Sequence, residues 1–176
     1  MQSVNKRKLF IICTVITIGS NYALDKLTKI LAVGFLKGKP PVSFFNDVMV
    51  FTYAENTGAF LSFGSSFNIV LKTIIMLVIP VAVCLFGMYW CMLKEKYISR
   101  CIILSTVIGG GLGNLIDRII HNFTVVDFLN FGIGNLRTGV LNVADLSVTF
   151  GVIVFVIVDF FLNKREQKEL NQEKIK

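Results

Sequence analysis

IVLKTIIMLVIPVAVCLFGMYWCML, residues 69–93, carries Lys72 as its only charged side chain. A bilayer's hydrocarbon core about 30 Å thick needs roughly 20 apolar residues of helix, so this stretch is long enough to cross one. Three further stretches pass the same test. LFIICTVITIGSNYALDKLTKILAVGF covers 9–35, densest in apolar residues over 9–24 and more polar beyond; the others cover about 101–120 and 139–162. The pattern predicts a membrane α-helical protein with four transmembrane helices, built as a single domain over 1–176.

Composition agrees. Apolar residues make up 54% and charged residues 16%, with Phe 16 and Gly 14 and a mean hydropathy of +0.70. A soluble globule carries about 25% charged residues, and disordered, coiled-coil or collagen-like chains do not combine so few charges with such apolarity. The net charge of +7 would ordinarily raise nucleic acid as a partner. Here, however, the basic residues punctuate the apolar stretches: three at positions 6–8, then Lys94, Lys96 and Arg100, then five over 164–176. That is the signature of membrane topology, and it predicts no nucleic-acid partner and both termini on the cytoplasmic side. A basic start before a short apolar run also fits a cleaved signal peptide, but the polar Asp25-Lys26 continuation predicts retention.

Between the first two spans, KGKPPVSFFNDVMVFTYAENTGAFLSF (37–63) has Pro40-Pro41 as a breaker and Asn46-Asp47 as a turn signal. β-Branched and aromatic residues follow through 48–53. A small extracytoplasmic β-sheet between helices 1 and 2, covering a site beneath it, is predicted here.

Ionisable residues in or beside spans are costly and survive where they are paired or useful. Asp145 falls six residues into the predicted fourth span, about 9 Å below its start, with Asn142 three residues earlier on the same face. Asp127 lies just beyond the third span, and Asp117-Arg118 closes that span. Three carboxylates and a guanidinium thus converge near one membrane face. Two carboxylates close together share a proton, the state in which one activates water while the other donates to a carbonyl. By spacing alone, paired acids fit an aspartic hydrolase or a proton-coupled transporter. Asp159, near Lys164 and Arg165, reads as an interfacial charge.

Other features point to packing. Gly109-Gly110-Gly111 and Gly113 have GxxxG spacing and suit close helix contact more than phosphate binding. Cys13, Cys84, Cys91 and Cys101 form no metal-ligand pattern and read as small apolar residues. His121 is read as interfacial, the 122–124 sequon as coincidence, and Tyr89, Trp90 and Tyr97 as aromatic-belt anchors. No cofactor or metal is predicted.

These residues also carry a resemblance. LDKLTK (24–29), AENTGAFLSF (54–63), IGGGLGNLIDRI (108–119), VVDF (125–128) and NVADLSV (142–148), in this order along four spans, resemble the bacterial lipoprotein signal peptidases, or signal peptidase II. The resemblance implies an aspartic endopeptidase of the bacterial inner membrane, with the phospholipid bilayer and a membrane-embedded prolipoprotein as partners, cutting on the amino side of the substrate's diacylglyceryl-modified cysteine. It implies Asp127 and Asp145 as the catalytic dyad. It further implies Asn56, Gly58, Gly110, Asn114, Arg118 and Asn142 as the substrate pocket, and Asp25, with Asp117, as structural support for the first span and the sheet. Leu141 and Gly111 depart from the family's usual Phe and Ala, which touches pocket shape only. A monomer is expected, and Ile12 before Cys13 makes the chain no substrate of its own kind.

Overall fold

The computed structural model describes residues 2–59 and 64–173. Residues 60–63, the end of the 54–63 motif and of the stretch expected to form the sheet, lie outside the described residues, as do the last residues of the charged tail.

Four long helices form the body: α1 (Gln2–Leu36), α2 (Ile69–Leu93), α3 (Ile98–Ile120) and α4 (Val143–Glu173). All four are long and apolar enough to cross a membrane. Residues 9–24 and their polar continuation are one uninterrupted helix, because Asp25 and Lys29 find buried partners in neighbouring helices and so need not leave the span. α2 contains a π-helical turn at Ile74–Val78, immediately before Pro80. Proline cannot donate to the carbonyl four residues back, and widening the turn accommodates the lost bond.

α3 is central, packed on each of the other three. Its glycines make this possible. A Cβ on Gly109 would come within 2.7 Å of Asn21 Cβ on α1, and one on Gly110 within 2.6 Å of the Ala144 carbonyl on α4. The small-residue run is therefore helix packing. At the end of the bundle away from the sheet, Phe10, Cys84, Cys91, Cys101 and Ile108 form an apolar core, and the four cysteines are free thiols. Asp159 pairs there with Arg100 at 2.8 Å, a residue of α3, and not with its sequence neighbours Lys164 and Arg165.

A four-stranded antiparallel sheet lies at the other end, in the order β1 (Val42–Phe44), β2 (Met49–Asn56), β3 (Val125–Ile133) and β4 (Leu136–Arg137). The sheet expected between the first two spans is present, but half its strands come from the segment between α3 and α4. VVDFLNFGI (125–133) lacks the clean alternation by which a half-exposed strand is recognised in a sequence. β3 is enclosed on both faces along much of its length, so apolar residues occupy both. The turn between β1 and β2 holds Phe45, Asn46 and Asp47 all in the left-handed region, matching the Asn-Asp turn signal.

Candidate active site

The start of α4 builds the site. Residues 139–142, read as helix from their apolarity, instead run beside β3: Leu141 exchanges backbone hydrogen bonds with Leu129 at 2.7 and 2.8 Å. The helix begins at Val143, so Asp145 lies in its first turn and not 9 Å inside it. Asn142 and Asp145 cap one another. The Asp145 backbone N–H donates to Asn142 Oδ1 at 2.9 Å, and the Asn142 backbone N–H donates to Asp145 Oδ2 at 3.1 Å, a reciprocal arrangement that satisfies orphan amides at a helix start.

Asn142 also reaches the sheet. Its Nδ2 donates to Asp127 Oδ1 at 2.6 Å, so one residue touches both carboxylates. The other partners are neutral amides too. Asn56 Nδ2 donates to Asp127 Oδ2 at 3.0 Å, and Asn114 Nδ2 to Asp145 Oδ1 at 2.9 Å. Register explains the first: β2 pairs with β3 so that Ala54 faces Asp127, which leaves Asn56 two residues along on the same sheet face. Asp127 is 2% exposed and Asn142 1%. Burial pushes the Asp127 carboxyl up to about 6; the Asp145 carboxylate adds to this, and the Asn56 and Asn142 amides oppose it.

Both aspartates line one small cavity with Asn56, Asn114, Arg118 and Asn142, which leaves about 10 Å³ for the centre of a water molecule. That is roughly the room one water requires. Beside it runs an apolar groove of about 230 Å³ between α2, α3 and α4, lined by Ile75, Met76, Pro80, Leu115 and Val148 and sharing Asn114, Arg118 and Asp145 with the cavity.

Arg118 fastens the loop after β2: its Nη2 donates to the Gly58 carbonyl at 2.8 Å, while the Gly58 N–H donates to Asn56 Oδ1 at 2.9 Å. Gly110 is placed away from the cavity, against the Ala144 carbonyl and Ser147, so its lack of a side chain seats α4. Gly111, one of the two departures, does line the groove.

Asp117 does not join Asp127 and Asp145 but turns to α1. Lys26 Nζ and Lys29 Nζ lie 2.9 and 2.8 Å from its two oxygens, and Lys29 also meets Asp25 at 2.7 Å. Asp25 Oδ1 accepts the Ala144 N–H at 2.9 Å, which supports the start of α4 and not the sheet. Lys29 is the residue that sequence reasoning missed. It is 3% exposed and donates to Asn114 Oδ1 at 2.8 Å, which leaves the amide's NH₂ directed at Asp145. An ammonium four residues from Asp25 inside a span was the available signal, since such a charge requires a partner.

A bundle of membrane-spanning helices that buries two amide-held carboxylates beneath a small sheet has the build of a membrane-embedded peptidase. The sequence profile of the family Signal peptidase (SPase) II matches residues 6–161. The lipoprotein signal peptidase of Borreliella afzelii (strain PKo) is 38% identical over 146 residues, 80% of this chain and 85% of the relative. That of Borrelia duttonii (strain Ly) is 34% identical over 164 residues, 90% and 95% of the two chains. A bacterial membrane enzyme solved by the in meso method at 2.3 Å resolution shares the fold, with a TM-score of 0.75 at 24% identity over 89% of this chain and 92% of that one. The chain belongs to the signal peptidase II family.

Proposed function

We propose that this chain removes the signal peptide from diacylglyceryl-modified prolipoproteins, hydrolysing the peptide bond on the amino side of the lipid-modified cysteine, with Asp127 and Asp145 as the catalytic dyad. The observation that carries the assignment is the cavity with room for about one water at which both carboxylates meet. Asp127, with its raised affinity for a proton, donates to the scissile carbonyl oxygen. Asp145 takes a proton from the water as its oxygen bonds to the carbonyl carbon. Collapse of the tetrahedral intermediate breaks the C–N bond, the proton on Asp145 passes to the departing cysteine nitrogen, and Asp127 regains its own. No metal or organic cofactor takes part.

Asn56, Asn114 and Asn142 hold the carboxylates in register, and Arg118 with Gly58 closes the wall of the cavity; Gly110 acts through the seating of α4. The apolar groove beside the cavity suits a substrate that is itself a membrane helix with a lipid attached, arriving sideways from the bilayer. The basic runs at both ends of the chain and between α2 and α3 support an orientation with these segments in the cytoplasm and the sheet outside. The whole chain acts as one domain and as a monomer.

Incubating the purified protein in detergent with a diacylglyceryl-modified prolipoprotein tests this. A mobility shift of the substrate is expected, unaffected by chelator. No cleavage by the folded protein, or loss of cleavage on chelation, would overturn the reading.

A further inference from the structure

The sheet has a second face. Tyr53, Glu55 and Val126 alternate with the residues that face Asp127, and they line a separate cleft of about 600 Å³ between the sheet, α1 and the end of α3. From α1 come Lys26, Ile30 and Val33, whose spacing of four and three keeps them on one helix face, and Lys37 follows directly after the helix ends at Leu36. His121 closes the end of α3, and Thr124 follows it.

The cleft has hydrogen-bonding capacity to spare. Lys29 is fully committed to Asp25, Asn114 and Asp117. Lys26, with a third of its side chain exposed, gives one N–H to Asp117, and Lys37 gives one to Glu55 at 3.1 Å. Lys26 therefore keeps two donors, and Lys37, which also lies 5.1 Å over the Tyr53 ring, keeps at least one. Among the described residues, the His121 and Thr124 side chains have no partner. Glu55 uses Oε1 for both Tyr53 and Lys37, which leaves Oε2 open. The Tyr53 hydroxyl, and then Lys37, hold the Glu55 carboxyl below its usual range, so it remains an anion.

Depth identifies the ligand. At 1.5 Å per residue, Lys26 lies about 26 Å along α1 from Leu9, where the apolar run begins, and Lys37 about 42 Å. With a hydrocarbon core of about 30 Å, Lys26 sits near its edge and Lys37 in or beyond the head-group layer. His121, about 30 Å along α3 from Cys101, falls at the level of Lys26. Ile30 and Val33, 59% and 41% exposed, form an apolar wall between the two lysines. We infer that this cleft binds the head group of a bilayer phospholipid, its phosphate on Lys26 and His121 and a hydroxyl or amine of the head on Glu55. Lysines beside a span hold lipid phosphates by charge, and the cleft lies at the sheet end of the bundle, behind the sheet and apart from the dyad.

The test is native mass spectrometry of the full-length protein in detergent, supplied with phosphatidylglycerol or with phosphatidylcholine, whose head has no N–H or O–H donor. The expected result is about tenfold more retained phosphatidylglycerol. Retention should fall at least fivefold in Lys26→Ala/His121→Ala and stay unchanged in Lys72→Ala, on α2. If the double variant does not fold, Glu55→Ala/His121→Ala, which removes one phosphate contact and the head-group acceptor and spares the buried ion cluster, should show the same loss. Equal retention of both lipids, or full retention by a folded cleft variant, would overturn the inference. Displacement of the lipid by millimolar glycerol 3-phosphate would also overturn it, since the ligand would then be a soluble phosphate.

Discussion

Asp25 and Asp117 meet around the Lys29 ammonium, whereas Asp127 and Asp145 meet around Asn142, whose neutral side-chain amide and backbone N–H donate to one carboxylate each. The two pairs lie on opposite sides of Asn114, which accepts from Lys29 and donates to Asp145. In the first pair a buried cation balances the carboxylates, and the cluster fastens α1, α3 and the start of α4. In the second, the direct partners are amides, which orient a carboxylate without cancelling its charge. A pair held in this way is poised to keep a proton. Counterions suit anchoring, and neutral donors suit proton transfer.

The sharpest break in this comparison is removal of charge from the amide-held pair. Asp127→Asn and Asp145→Asn should each lower prolipoprotein cleavage by about 10³-fold or more while the protein still folds. Full turnover by either variant would remove the distinction. Asp127→Asn also has a stability signature. Because the folded carboxyl binds its proton up to about 6, above the ordinary carboxylate range, the stability due to that proton is complete at low pH and is lost as pH rises through about 6. Asparagine has no proton to lose, so the variant should melt no lower than the native protein above pH 6.

The cation-held pair should respond in the opposite way. Lys29→Met leaves Asp25 without its ion-pair partner and deprives Asp117 of one of two, a change that costs on the order of 3–5 kcal/mol. Thermal unfolding in detergent should show the loss before any assay of cleavage. A Lys29→Met protein that melts normally would dissolve the contrast between the two clusters.

A smaller effect separates orientation from chemistry. Asn56 holds Asp127 below the value that burial alone would impose. Asn56→Ala should move the high-pH fall in activity upward from about 6, with turnover reduced on the order of tenfold. A pH–rate profile with an unmoved limb would assign that limb to another group. Least of all, Asp159→Asn at the far end of the bundle breaks a partly exposed pair with Arg100, worth about 0–1 kcal/mol, and cleavage should change less than twofold.

Much of the site was readable as a set of residues but not as an arrangement. Asp127, Asp145, Asn114, Arg118 and Asn142 stand out as polar side chains in or beside apolar spans, Asn56 is marked by the family resemblance alone, and all six line one cavity. Gly110, marked as a pocket residue by the family resemblance alone, serves packing instead. Asp117 appeared to belong with the other two acids because it ends the same helix as Arg118, yet residues four apart share a face and adjacent ones do not, so Asp117 faces Lys26 and Lys29. The start of α4 was placed four residues early because residues 139–142 are as apolar as the helix they precede. Their pairing with β3 was invisible without β3 itself.

The sequence alone determined the number of crossings, the approximate length of each span, and the side-to-side imbalance of basic residues, because transfer from water into hydrocarbon adds up along a contiguous stretch of chain. Only the tertiary structure decided which acid keeps a counterion and which keeps a proton. That choice depends on contacts between Lys29 and Asp117, Asn56 and Asp127, and Asp25 and Ala144, residues far apart in the chain. Hydrogen bonds and ion pairs act over about 3 Å, a distance that folding sets and residue order does not.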